Sequence, residues 1–93
     1  MTEISASLPT ALQQVRKAKN LSQEAFSEVS SRTYMSSLER GLKSPTLKKI
    51  EGICSVLNVH PLTLLTLAYS DEGSVGSNSL LNIVKRQIEE LEL

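Results

Sequence analysis

Between Leu8 and Leu67 apolar residues recur at intervals of three and four, and no stretch alternates apolar and polar residues for more than a few positions. A spacing near 3.6 gathers side chains on one face of a helix, whereas a half-buried strand needs a spacing of two. The pattern predicts an all-α fold, and the residues between the apolar runs mark where each helix starts and stops.

The first helix is expected from about Leu8 to Lys19. Leu8, Leu12 and Val15 share a face, Pro9 sits in the first turn, and Lys17 and Lys19 lie near the C-terminal end, where the dipole favours cations. Asn20 suits a left-handed stop. Ser22 is expected to cap a second helix through about Val29, with Ala25, Phe26 and Val29 inward. Ser31 then caps a third helix that faces inward through Met35 and Leu38 and stops at Gly41. After a loop at Leu42-Lys43-Ser44-Pro45, Thr46 caps a fourth helix carrying Leu47, Ile50, Ile53, Cys54 and Leu57, which Asn58 ends. His60-Pro61 opens a short fifth helix through about Ala68. The composition of residues 70–78 predicts a linker, and Ser79 a cap for a last helix. Leu80, Val84, Gln87, Ile88 and Leu91 form a narrow stripe along it. The expected organisation is a domain over 1–69, a linker over 70–78 and a C-terminal amphipathic helix over 79–93.

The chain has 93 residues, 40% hydrophobic but only 3% aromatic, so Leu, Ile and Val must build the core. Cys54 is the only cysteine and His60 the only histidine, and no glycine-rich phosphate loop is present. Neither a disulfide within the chain, a metal centre nor a nucleophile–base pair is expected. Cys54 lies on an apolar helix face and reads as a buried thiol rather than a redox sensor. No enzyme activity, cofactor or small-molecule ligand is expected. The start MTEISASLPT lacks a basic stretch followed by an apolar one, and the apolar run Val59–Ala68 is short and broken by Pro61. A cytoplasmic location without membrane association is the expectation.

Formal net charge is zero, but its distribution is uneven. Residues 1–50 carry eight Lys/Arg against four Asp/Glu, whereas residues 51–93 carry two against six. A basic half backed by an acidic one suits a nucleic-acid face; the alternative is an ordinary surface with an uneven scatter of charge.

The string LSQEAFSEVSSRTYMSSLERGLKSPTL, Leu21 to Leu47, resembles the Cro/C1-type helix-turn-helix family of bacterial and phage regulators, also called the XRE family. Leu21-Ser22-Gln23-Glu24 resembles the opening of the family's second helix. Arg32-Thr33-Tyr34-Met35-Ser36 and Leu38-Glu39-Arg40-Gly41 resemble its recognition helix and the turn after it, and Pro45 to Leu57 its fourth helix. The resemblance spans roughly Leu12 to Ala68 and implies a five-helix DNA-binding domain, to which this chain adds the C-terminal helix. One feature departs from the pattern. The family's turn between the second and third helices usually holds a Gly and an apolar residue and is about two residues longer than Val29-Ser30-Ser31 here.

A helix in the major groove turns its first turn and one face toward base edges. With Met35 and Leu38 inward, Arg32, Thr33, Ser36 and Ser37 form the outward set. The resemblance assigns Arg32, Thr33 and Ser37 to base contact; the alternative for Arg32 is a solvated or phosphate-binding arginine. Backbone contacts are expected from Ser22 and Gln23 at the start of the second helix, and from Arg40, Lys43, Ser44 and Thr46 around the turn after the recognition helix. Tyr34 either reaches a phosphate through its hydroxyl or packs at the edge of the core. The resemblance also implies a structural ion pair between Arg16 and Glu39.

Regulators of this kind usually bind two-fold sites as dimers. Leu64 and Leu65 of the fifth helix and Leu80, Val84, Ile88 and Leu91 of the last are the expected dimer interface; the alternative for the last helix is packing on its own domain. The function implied is a sequence-specific transcriptional regulator, a repressor binding a double-stranded DNA operator as a homodimer. The alternative is a protein-interaction module, an antitoxin or anti-regulator that keeps the fold.

Overall fold

The computed structural model describes the backbone of residues 4–70 and 73–93, and side chains from Leu8 to Ser70 and from Gly76 to Leu93. Its elements are α1 (Ile4–Ala18), a 3-10 helix (Gln23–Phe26), α2 (Arg32–Glu39), α3 (Leu47–Leu57), α4 (Pro61–Tyr69) and α5 (Gly73–Glu90). The fold is all-α, as the spacing of apolar residues implies.

Local chemistry sets most helix ends. Ser31 and Thr46 adopt extended backbone, and their hydroxyls accept from the N–H groups of Tyr34 (3.0 Å) and Lys49 (3.1 Å), satisfying donors left open at the starts of α2 and α3. His60 Nδ1 does the same for Leu62 N–H at 3.0 Å, which makes His60 a cap. Three helices end in one way. Asn20, Gly41 and Asn58 hold φ of 57°, 76° and 57°, turning the chain back so that Leu21, Leu42 and Val59 donate to the carbonyls of Arg16, Ser37 and Cys54. At Gly41 a side chain would meet both the strained φ and, at 3.6 Å, the ring of Pro9.

Three elements differ from the sequence expectation. α1 begins at Ile4, not Leu8, so Pro9 lies inside the helix. Its fixed φ is helical, but its missing N–H forgoes one hydrogen bond and its ring crowds the carbonyl four residues back. The expected second helix shrinks to a four-residue 3-10 helix followed by turns through Val29. Val29 and Ser30 both donate to the Phe26 carbonyl, at 2.9 and 2.8 Å, so the chain tightens around one acceptor instead of running on as an α-helix. α5 begins at Gly73, inside the segment whose composition predicts a linker, and Ser79 lies within the helix instead of capping it. Packing on α4 accounts for this. Ser77 and Leu81 face Leu62, Thr63, Thr66 and Leu67 across a groove, and such contacts override weak helix propensity. Asp71 and Glu72 of that expected linker lie outside the described residues.

The core gathers Leu8, Ala11, Leu12 and Val15 of α1, Phe26, Met35 and Leu38, Ile50, Ile53, Cys54 and Leu57 of α3, and Leu64 and Ala68 of α4. α1 and α4 make the most extensive contact. Leu64, expected at a dimer surface, is 1% exposed and belongs to this core. Its position at the centre of α4's inner face turns it toward the domain's own interior. Leu65 is half-buried against the same core. Among the described residues no single helix is long and apolar enough to cross a membrane.

Candidate nucleic-acid interface

α2 carries its outward residues on a short, well-anchored rod. Met35 and Leu38 are buried below it. Arg32 and Thr33 are exposed in its first turn, and Ser36 is half-buried. Ser37 is 8% exposed, which corrects its expected place among the outward residues. The chain returning after Gly41 ties Leu42 N–H to the Ser37 carbonyl at 2.9 Å, so this end of α2 is closed in and a serine is too short to emerge from it.

Arg32 is not isolated. Its Nη1 donates to Glu24 Oε1 at 2.9 Å, with both side chains about 70% exposed (71% and 69%). An exposed pair of this kind is worth about 0.2–1 kcal/mol, less than a bidentate arginine–guanine contact at about 1–3 kcal/mol. Glu24 therefore holds Arg32 only weakly. The sequence signal for it was the acidic residue closing LSQE, which the sequence reading assigned only to helix opening.

The flanking residues divide. Arg40, Lys43, Ser44 and Thr46 lie together, all exposed, in and around the loop after α2. Arg40 Nε is 3.4 Å from the Ser36 carbonyl, a weak bond that leaves the guanidinium outward, and the Thr46 hydroxyl accepts from Lys49 N–H and keeps its proton free to donate to a phosphate. Ser22 is exposed and has extended backbone, but its side chain makes no cap bond. The four-residue 3-10 helix behind Ser22 has little dipole to hold an anion, which removes the reason for expecting a phosphate at Ser22 and Gln23. Gln23 is also committed elsewhere, for its Nε2 donates to Glu39 Oε1 at 3.3 Å.

Arg16 and Glu39 lock α1 to the far end of α2. Arg16 Nε and Nη2 donate to the two Glu39 oxygens at 2.6 and 2.9 Å, and Nη1 donates to the Leu21 carbonyl at 2.8 Å. The side chains are only 12% and 3% exposed. The hydrogen bond to Glu39 raises the Arg16 pKa above its ordinary value against the opposing effect of burial, with the carboxylate's charge adding to it. Among the described residues no buried side-chain nitrogen or oxygen lacks a partner.

Tyr34 and Lys49 meet behind the interface. Tyr34 is half-buried at the core edge, and the Lys49 ammonium stands 5.0 Å from its ring centre while donating to the Val29 carbonyl at 2.8 Å. The sequence reading missed Lys49, since nothing along the chain links it to residues fifteen and twenty positions away. On α5, Leu81, Ile83, Val84 and Ile88 are exposed, as is Leu91 just past its end, and Leu80 is half-buried.

A short capped helix presenting its first turn outward, braced by a preceding helical turn and an ion pair to α1, defines a helix-turn-helix DNA-binding domain. A model of the helix-turn-helix family matches residues 12–64, more than half of the chain, and the protein belongs to the Cro/C1-type helix-turn-helix (XRE) family. No curated protein sequence and no solved structure matches it. The family is one of non-enzymatic DNA-binding domains.

Proposed function

We propose that the protein is a sequence-specific repressor of transcription that binds a two-fold DNA operator as a homodimer, with α2 in the major groove. The observation that carries this is the first turn of α2, where Arg32 and Thr33 stand exposed above the buried Met35 and Leu38. Arg32 offers a planar fork that matches guanine O6 and N7, Thr33 a methyl for thymine and a hydroxyl for a base or phosphate, and Ser36 a short polar contact bridged by water. Arg40, Lys43, Ser44 and Thr46 form the backbone-contacting edge beside them, and Tyr34 borders it. The dimer contact is assigned to the exposed Val84 and Ile88 of α5 with Leu91 just past its end, spaced at four and three as in a two-helix seam, and the half-buried Leu80 lies at its edge.

The test is selection of bound sequences from random duplex DNA by the full chain, followed by affinity measurements across a salt series. Enrichment of a palindromic site whose half-sites lie about 34 Å apart, or a multiple of that, supports the reading. No duplex binding even at low salt overturns it. The exposed apolar face of α5 favours a second reading, in which the domain docks another protein as an antitoxin or anti-regulator does. That reading gains if the chain stays monomeric and binds no duplex.

A further inference from the structure

The junction between the 3-10 helix and α2 decides the angle at which base-reading residues enter a groove, and here it is held from outside. Within the turn, the N–H groups of Val29 and Ser30 converge on one carbonyl, that of Phe26. The Val29 carbonyl faces the other way and receives the Lys49 ammonium at 2.8 Å. The same ammonium stands 5.0 Å from the ring centre of Tyr34, in the first turn of α2. One cation on α3 therefore grips the turn on one side and the recognition helix on the other. Behind it, α3 packs on the turn at Gly52, where a Cβ would stand in ordinary contact with Val29 carbons at 3.6 and 3.7 Å.

The placement is electrostatically unusual. Lys49 lies in the first turn of α3 and faces the first turn of α2, two places where helix dipoles disfavour a cation. No ion pair of the described residues includes it. A backbone carbonyl and an aromatic face stabilise it instead, and both contacts are directional. A lysine whose purpose was phosphate contact would extend into solvent; this one is half-buried and its ammonium donates to a backbone carbonyl.

We propose that Lys49 is a positioning residue for base reading, which sets the angle of α2 by clamping the Val29 carbonyl and the Tyr34 ring rather than by touching DNA. The proposal rests on the reading of α2 as the base-reading helix. It is tested with the full chain, the duplex selected by the native protein and a random duplex of equal length. Lys49→Met keeps the stem and removes the charge. It is expected to bind the selected duplex roughly tenfold more weakly while random-duplex affinity and the salt slope stay near native. Lys49→Arg, which can bond the carbonyl and stack on the ring, is expected to recover most of that loss. Amide exchange at residues 30–34 is expected to speed up in Lys49→Met and not in α1 or α4, a readout that needs no DNA. Native selectivity in Lys49→Met, or a salt slope reduced by about one, which would make Lys49 a phosphate contact, overturns the proposal alone. Failure of the native chain to select any duplex overturns the functional reading as well, and so is distinguishable.

Discussion

Arg16 and Glu39, twenty-three residues apart, share a two-pronged ion pair that fastens α1 to the last turn of α2 with bonds of 2.6 and 2.9 Å. A third bond, from Arg16 to the Leu21 carbonyl, secures the turn that ends α1. The pair fixes the platform on which α2 rests. Removing Arg16 leaves Glu39 charged and buried without a counter-charge, with only the Gln23 bond remaining, a loss that typically costs about 3–5 kcal/mol. Arg16→Ala is therefore expected to lower the urea midpoint sharply while leaving sequence preference unchanged in the fraction that stays folded. Native stability in that variant would show the pair to be dispensable. The raised Arg16 pKa adds stability that is present below the arginine's unfolded value and is lost only as pH rises through the folded one, so its effect is constant through the neutral range.

Arg32 and Glu24 make the opposite kind of pair, exposed and cheap to break. Arg32→Ala is expected to cost about 1–3 kcal/mol on the selected duplex and to relax preference at one base position. Glu24→Gln is expected to tighten binding a few-fold, since it frees Arg32 and removes a negative charge near the phosphates. Competition binding with single-base variants of the selected site measures both.

Arg40 and Lys43, exposed beside the end of α2, are assigned to phosphates. Each change to alanine is expected to weaken selected and random duplexes alike and to reduce the salt slope by about 0.9. A loss confined to the selected duplex would place the residue on a base instead.

Leu64 lies in the core and Ile88 on the exposed face of α5 proposed as the dimer contact. Leu64→Ala is expected to lose about 2–5 kcal/mol of stability, because the residue fills the interior between helices. Ile88→Glu adds charge to that exposed face. It is expected to leave the melting of the helix-turn-helix domain near native and to halve the mass seen by light scattering. An unchanged mass would remove α5 from the dimer contact.

Cys54 is buried, and loss of solvation raises its thiol pKa. Unfolding restores the ordinary value near 8.5, so the unfolded chain gives up its proton first. Stability is full below that pH and falls as pH climbs from it toward the folded pKa. Denaturant titrations at pH 7 and pH 9.5 should show the fall, and Cys54→Ala should reduce it. Iodoacetamide should label the native thiol slowly and the unfolded one quickly.

The sequence by itself determined what depends on neighbours along the chain. The caps Ser31, Thr46 and His60 and the stops Asn20, Gly41 and Asn58 are legible because each acts on backbone groups within five residues. For the same reason the bounds of α2 and α3 could be read from them, and the inward set Met35, Leu38, Ile50 and Ile53 from spacing alone. Tertiary structure decided whatever rests on residues far apart. The 3-10 turn at Phe26 and the closing-in of Ser37 follow bonds within five residues whose strength the sequence does not display, whereas tertiary structure drew Leu64 into the core and packed α5 on α4. It also set Lys49 against Val29 and Tyr34. Such outcomes come from packing and long-range hydrogen bonds, whose energies exceed local propensities of a few tenths of a kcal/mol per residue and leave no periodic trace in the sequence.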